Sequence, residues 1–217
     1  MQRAGIVLSF DDCFIDQWYE YRMFFRKHEV KATFYLAYIN SITTDQWKKM
    51  LNLMLDGHEI GFHGVEHLRA GEVSKSLDDP TRKHDIASFN VFVNREIIPG
   101  LVIVANMIGR APKHYSYPYG NRSDESDKIL GTIFTTLRRG GRGVYEGRLE
   151  KIFAASNYGK REKQVLSGHE PLIELAASKK KLVSLYMHAP IQHRLEYLVE
   201  RVEKLKLKFY TVEEVSL

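Results

Sequence analysis

Residues 5–13 read GIVLSFDDC. A short apolar run passes straight into two adjacent aspartates. Such a run, with no polar alternation, reads as a strand buried on both faces, as in a parallel sheet covered by helices. Similar strands are read at residues 31–36 (KATFYL), 58–62 (HEIGF), 132–137, 151–155, 182–187 and 208–212, with a strand-like run at 115–119 that turns at Gly120. Helical spacing of apolar residues fills the intervals. It predicts helices over 15–28, from Thr43 or Thr44 to Leu55, after Pro80, from the Pro99-Gly100 interruption to about Ile108, over 123–130 and over 191–206. In the second of these Trp47, Leu51, Met54 and Leu55 form the expected inner face, and Gly57 ends it. Residues 140–148 hold several glycines and arginines and read as a mobile loop. Strands alternating with helices predict a parallel α/β sheet or barrel, whose chemistry gathers at the C-terminal ends of the strands.

The composition sets outer bounds. The chain has 217 residues, 44% hydrophobic and 27% charged, which fits one globular domain over residues 1–217. No apolar run approaches the roughly 20 residues of a membrane span. The first residues, MQRAGIVLSF, lack the features of a secretory signal, so a cytoplasmic protein is expected. A single cysteine, Cys13, excludes an intrachain disulfide and a cysteine-built zinc cluster. The net charge of +5 comes with no basic patch interleaved with aromatics, so no nucleic-acid partner is expected. The oligomeric state is not legible.

Polar residues then fall where the strand-end rule puts them. Asp11 and Asp12 close the first strand, His63 follows the third, and His188 follows the run 182–187. His67 lies four residues after His63. If the chain turns helical there, the two rings face one way and hold a divalent ion together with one aspartate, leaving the other aspartate free as a base. Zinc is the first choice, with cobalt, nickel and manganese as alternatives.

SFDDC at 9–13, KATFYL at 31–36, GHEIGFHGVEH at 57–67, YSYPYG at 115–120 and LYMHAP at 185–190 occur in that order. Together they resemble the polysaccharide deacetylase family, the NodB homology domain of carbohydrate esterase family four. The resemblance implies a distorted, incompletely closed (β/α) barrel of about seven parallel strands. It also implies metal-dependent removal of acetyl groups from an N-acetylated sugar or polysaccharide. On that resemblance Asp11 is the general base, and Asp12, His63 and His67 are the metal ligands. Tyr119 supplies a backbone N–H to the oxyanion, and His188 protonates the leaving amine. Tyr117, Pro118 and Tyr119 would line the substrate. A non-catalytic metal- or glycan-binding module, or a hydrolase of another small amide or ester, are the alternatives.

The sequence departs from the family pattern in several places. Cys13 stands where the first motif usually has glycine. Gly64 replaces the Ser or Thr after the first histidine. Ser116 occupies the place of an arginine that pairs with the base. The family's aspartate–tryptophan motif is not evident, and Trp18 and Trp47 lie elsewhere, which leaves no visible partner for His188. In its place stand Arg138, Arg139, Arg142 and Arg148, read as one loop able to close over an anionic substrate.

Overall fold

The computed structural model describes residues 3–72, 89–159 and 171–216. The first part of the helix expected after Pro80, to residue 88, lies outside the described residues. The strands are β1 (Gly5–Asp12), β2 (Thr33–Leu36), β3 (Glu59–Phe62), β4 (His114–Ser116), β5 (Thr136–Gly140), β6 (Gly143–Tyr145), β7 (Ile152–Asn157), β8 (Leu182–Met187) and β9 (Lys208–Tyr210). The helices are α1 (Ile15–Glu20), α2 (Arg22–Lys27), α3 (Thr44–Leu55), α4 (Phe89–Phe92), α5 (Ile98–Ile108), α6 (Asp124–Ile133), α7 (residues 171–178), α8 (Gln192–Lys204) and α9 (Val212–Val215).

Seven strands form a parallel ring in the order β1-β2-β3-β4-β5-β7-β8, and β8 pairs back to β1. The fold is therefore the α/β barrel expected, and its ring is closed. The distortion sits at one seam. β7 meets β8 at Ser156↔Leu185 and Asn157↔Tyr186 only. Below those pairs β6 is wedged between the two strands, antiparallel to β8 through Gly143↔Ser184 and Tyr145↔Leu182. The glycine-rich segment read as a mobile loop thus contains a strand. Gly143 is required there, because a Cβ would lie 2.3 Å from the Ala154 carbonyl oxygen. β9 adds outside the ring, parallel to the start of β1.

Alternation along each strand divides the side chains between two environments. Ile6, Leu8 and Phe10 of β1 face the helices and join the large core with Trp18, Phe25 and Phe34. Val7 faces the lumen, packed with Tyr35, Phe153 and Leu182. Ser9 and Asp11 share the face of Val7 and are also buried.

Several elements depart from the sequence reading: the helix expected over 15–28 is broken at Tyr21 into α1 and α2, and Thr132 and Ile133, read as strand, close α6. α3 is capped by Thr43, one of the two expected threonines, in a capping box with Gln46, but it buries Trp47, Met50 and Leu53. Leu51 and Met54 sit at the edge of that face, and Leu55 is 79% exposed. Pro99 does not interrupt its helix. A π turn over Val93–Ile97 immediately precedes α5, widening the turn where the proline ring would meet a carbonyl. Gly100 lets this helix close on β3, since a Cβ would come 2.4 Å from the Phe62 ring. Taken with its π turn, the helix Phe89–Ile108 has 20 residues and a mean hydropathy of 1.6 over its most apolar window. By length and composition alone it could cross a membrane, although Asn90, Asn94, Arg95, Glu96 and Asn106 interrupt its apolar run. The same composition serves its packing here, because Phe92, Ile97, Val104 and Ile108 are buried against the barrel.

Candidate metal centre and active site

The C-terminal strand ends form one rim, and Asp11, Asp12, His63, His67 and His188 meet there. Asp12 adopts a left-handed backbone conformation (φ 79°) that swings its side chain out of the strand. Its Oδ1 lies 3.6 Å from His63 Nε2 and 3.3 Å from His67 Nε2. The two ring nitrogens are 3.1 Å apart.

The chain after His63 does not become helical, contrary to the expected route to this pairing. It runs through Gly64 (φ 93°) and a left-handed His67 (φ 61°), and this bend brings the rings together. His63 Nδ1–H donates to the Ser116 carbonyl at 2.7 Å, so its Nε2 presents a lone pair. Burial depresses both histidines to about 3, helped by Arg138 for His63 and by His63 for His67. Both rings are therefore neutral at ordinary pH, the form that binds metal. Asp12 Oδ1 is buried without a hydrogen-bond partner. A bare carboxylate oxygen facing two neutral imidazole nitrogens is a donor set that a divalent cation fits.

Asp11 is fully enclosed. One oxygen, Oδ2, is paired with Arg138, whose guanidinium also donates to Ser116 Oγ. The other, Oδ1, has no partner. Burial raises the Asp11 carboxyl, and the Arg138 charge opposes that rise. Arg138 lies 4.5 Å from the Tyr186 ring centre and 5.2 Å from that of Tyr35. The arginine absent at position 116 is thus supplied from the neighbouring strand at the same level, since Ser116 and Arg138 are register partners.

This corrects the reading of a single arginine loop. Arg138 is buried inside the barrel, and only Arg139 and Arg142 are exposed near the rim. Arg148 lies at the opposite end, next to Leu149, whose N–H bonds to the Val215 carbonyl. The sequence signal for Arg138 was present as alternation. Thr136 and Arg138 face inward on either side of outward Leu137, but the strand read from the sequence stops at Leu137, three residues short of the observed end at Gly140.

His188 extends from the end of β8 with its side chain 46% exposed and Nε2 3.8 Å from Asp12 Oδ2. Its carbonyl accepts from the Trp18 indole N–H at 2.8 Å. Its ring stands edge-on to Tyr186 and Phe14. A tryptophan does hold the His188 segment, then, but it comes from α1.

The Tyr-Pro-Tyr-Gly segment divides. The Tyr117 ring is buried, with its hydroxyl donating to Asp127 at 2.8 Å, and Pro118 is buried as well. Of the three residues expected to line the substrate, only Tyr119 is thus exposed at the rim. Tyr119 is left-handed (φ 59°) and 66% exposed, with its ring 4.6 Å from that of His67. Its turn is closed by Gly120 N–H to the Tyr117 carbonyl, 2.9 Å.

A second group of donors occupies the opposite end of the lumen. His114 Nε2 lies 2.7 Å from Glu213 and 3.1 Å from Glu59, and its Nδ1 meets Thr136 Oγ1 at 2.8 Å. Glu59 also accepts from the Thr33 hydroxyl and the Glu213 N–H, both at 2.9 Å. These bonds fix α9 under the barrel. A cavity of about 800 Å³, lined by His28, Lys31, His58 and Lys208 among others, is also remote from the rim.

The sequence profile described as polysaccharide deacetylase matches residues 1–133. Among curated proteins no sequence matches. Solved structures resemble the whole chain. A chitin deacetylase from the fungal pathogen Colletotrichum lindemuthianum superposes with a TM-score of 0.67 at 15% identity, over 98% of this chain and 87% of that one. The Xyl-CE4 domain of a multidomain xylanase from the hindgut metagenome of Trinervitermes trinervoides gives 0.61 at 16% identity, over 98% and 89%. A mutant of a CE4 family pseudoenzyme with restored enzymatic activity gives 0.64 at 15% identity, over 98% and 67%. At these identities the superpositions speak for the barrel, and it is the profile match over more than half the sequence that carries the assignment: the chain belongs to the polysaccharide deacetylase family.

Proposed function

We propose that the protein, acting as one catalytic domain, is a metal-dependent deacetylase that hydrolyses the acetyl group of an N-acetylated sugar. The observation that carries this reading is the asymmetry of Asp11. One of its oxygens is tied to Arg138, and the other is bare beside the Asp12–His63–His67 donor set. A pure binding site has no need of that second, unliganded carboxylate.

Asp12, His63 and His67 would hold the ion, with zinc the first candidate. Bound there, a divalent ion would supply Lewis-acid polarisation of an acyl oxygen and of water. The rest falls to the chain's own groups. Asp11 Oδ1 takes the proton from the water that attacks the acetyl carbon, while Arg138 keeps the carboxylate ionised and aimed. The Tyr119 N–H, in its fixed left-handed turn, donates to the carbonyl oxygen as negative charge develops on it. The exposed His188 imidazole gives a proton to the sugar nitrogen as the C–N bond breaks, so the products leave as acetate and a free amine.

Acetate release from acetylated chito-oligosaccharides, with zinc or cobalt added and after chelation, tests the proposal. Asp11→Asn should keep the metal and lose roughly 10²–10⁴-fold in turnover. A metal-loaded protein that releases no acetate from any acetylated sugar would leave only a binding module on this fold.

A further inference from the structure

Glu96 is a buried carboxylate with no place in the chemistry above. It sits in the π turn Val93–Ile97 and is fully enclosed. Its two oxygens accept from the N–H groups of Glu66, at 2.8 Å, and Leu68, at 2.7 Å. Those residues flank His67. The Glu96 carbonyl takes a third bond from the same segment, from Val65 N–H at 3.2 Å. One residue therefore binds the backbone on both sides of a histidine held in a left-handed conformation, which a non-glycine residue adopts only at a cost of about 1–3 kcal/mol.

The sequence makes room for this contact. A Cβ at Gly64 would lie 2.3 Å from Glu96 Oε1. Any side chain there, including the Ser or Thr common at this position in the family, would displace the carboxylate. The π turn matters in the same way, because its extra residue sets which side chain of the helix points into the loop. Glycine at 64, the π turn and a buried glutamate form one device.

We infer that Glu96 is a positioning residue for metal binding: through the N–H groups of Glu66 and Leu68 it fixes the bend that aims His67 Nε2 at Asp12 and His63. The inference rests on the proposed metal ligands, and it assigns Glu96 no contact with the ion or substrate. Groups that orient a metal ligand typically account for 10–100-fold in affinity.

The test measures Zn²⁺ affinity by competition with a chromophoric chelator and records the visible spectrum of the Co²⁺ form. Parent, Glu96→Ala, Glu96→Gln, Gly64→Ala and His63→Ala proteins are compared, each checked for folding by circular dichroism. Glu96→Ala should bind Zn²⁺ roughly 10–100-fold more weakly and shift the Co²⁺ bands. Glu96→Gln keeps one acceptor oxygen and should fall between it and the parent. Gly64→Ala should weaken binding in the same direction by pushing Glu96 out. Parent-like affinity and spectrum in a folded Glu96→Ala protein would overturn the inference, even if its melting temperature fell. If Glu96→Ala does not fold, parent-like affinity and spectrum in Glu96→Gln would do the same. His63→Ala separates the two readings: full Zn²⁺ retention there sinks the ligand set itself, whereas loss there with unchanged Glu96 variants sinks only the role of Glu96.

Discussion

At the scale of single residues, Asp11 and Arg138 determine what the site can do. Burial alone would keep the Asp11 carboxyl protonated to higher pH, and Arg138 works against that. Without the guanidinium the carboxylate is ionised only at higher pH. Arg138→Met should therefore move the acid limb of the kcat/KM profile upward in pH and lower activity at neutral pH by roughly 10–100-fold. Arg138→Lys should restore part of it, since a point charge replaces the planar fork. A pH–rate profile measured with saturating metal checks this, and an unmoved acid limb would mean that Asp11 is not the titrating base. His188 invites a different comparison. An amine needs a proton to leave, and a nitrophenolate does not. His188→Ala should lose roughly 10²–10⁴-fold on an N-acetyl sugar while retaining most hydrolysis of an aryl acetate. Equal losses on both substrates, measured side by side, would reduce His188 to a packing role.

Elements explain what the sequence could and could not reveal. The strand ends were legible because a buried parallel strand is an uninterrupted apolar run and its polar terminus stands out. Asp11-Asp12 after GIVLSF and His188 after LVSLYM are examples. Alternation could have turned Arg138 inward, but its role was not legible, because that depends on the register that places it beside Ser116 and across from Asp11. Glu96 was hidden in the same way. It reads as an ordinary polar residue on an apolar helix until the π turn and Gly64 are seen together. The bend at His67 is not legible because i, i+4 spacing suits a helix equally well, and only the backbone angles tell them apart. β6 offers a prediction at this scale. Gly143→Ala sets a Cβ against the Ala154 carbonyl in the wedge between β7 and β8. It should destabilise the protein by roughly 1–3 kcal/mol, the range for overpacking a filled site. Urea unfolding would show this as a lower midpoint with an unchanged slope, and a parent-like midpoint would mean that the seam yields easily.

For the molecule as a whole, the position of β1 governs the order in which the barrel can be completed. β1 is the first strand in the chain, yet it is bonded on one side by β2 and on the other by β8, with β9 against its start. The strand that carries Asp11 and Asp12 therefore waits for partners made more than a hundred and seventy residues later. On the ribosome, a nascent chain halted before β8 holds His63, His67 and both aspartates but lacks His188 and has an open lumen, with one edge of β1 unpaired. Such long-range closure slows folding and leaves apolar surface exposed meanwhile. Arrested chains ending near residue 175 should be digested by protease as readily as unfolded ones, with protection appearing only once β8 and β9 have cleared the exit tunnel. Protection at the shorter length would mean that the half-ring is stable without them. The aspartates are thus the first of the rim residues to be synthesised and the last to be enclosed, so the proposed metal site would be completed only late in the birth of the protein.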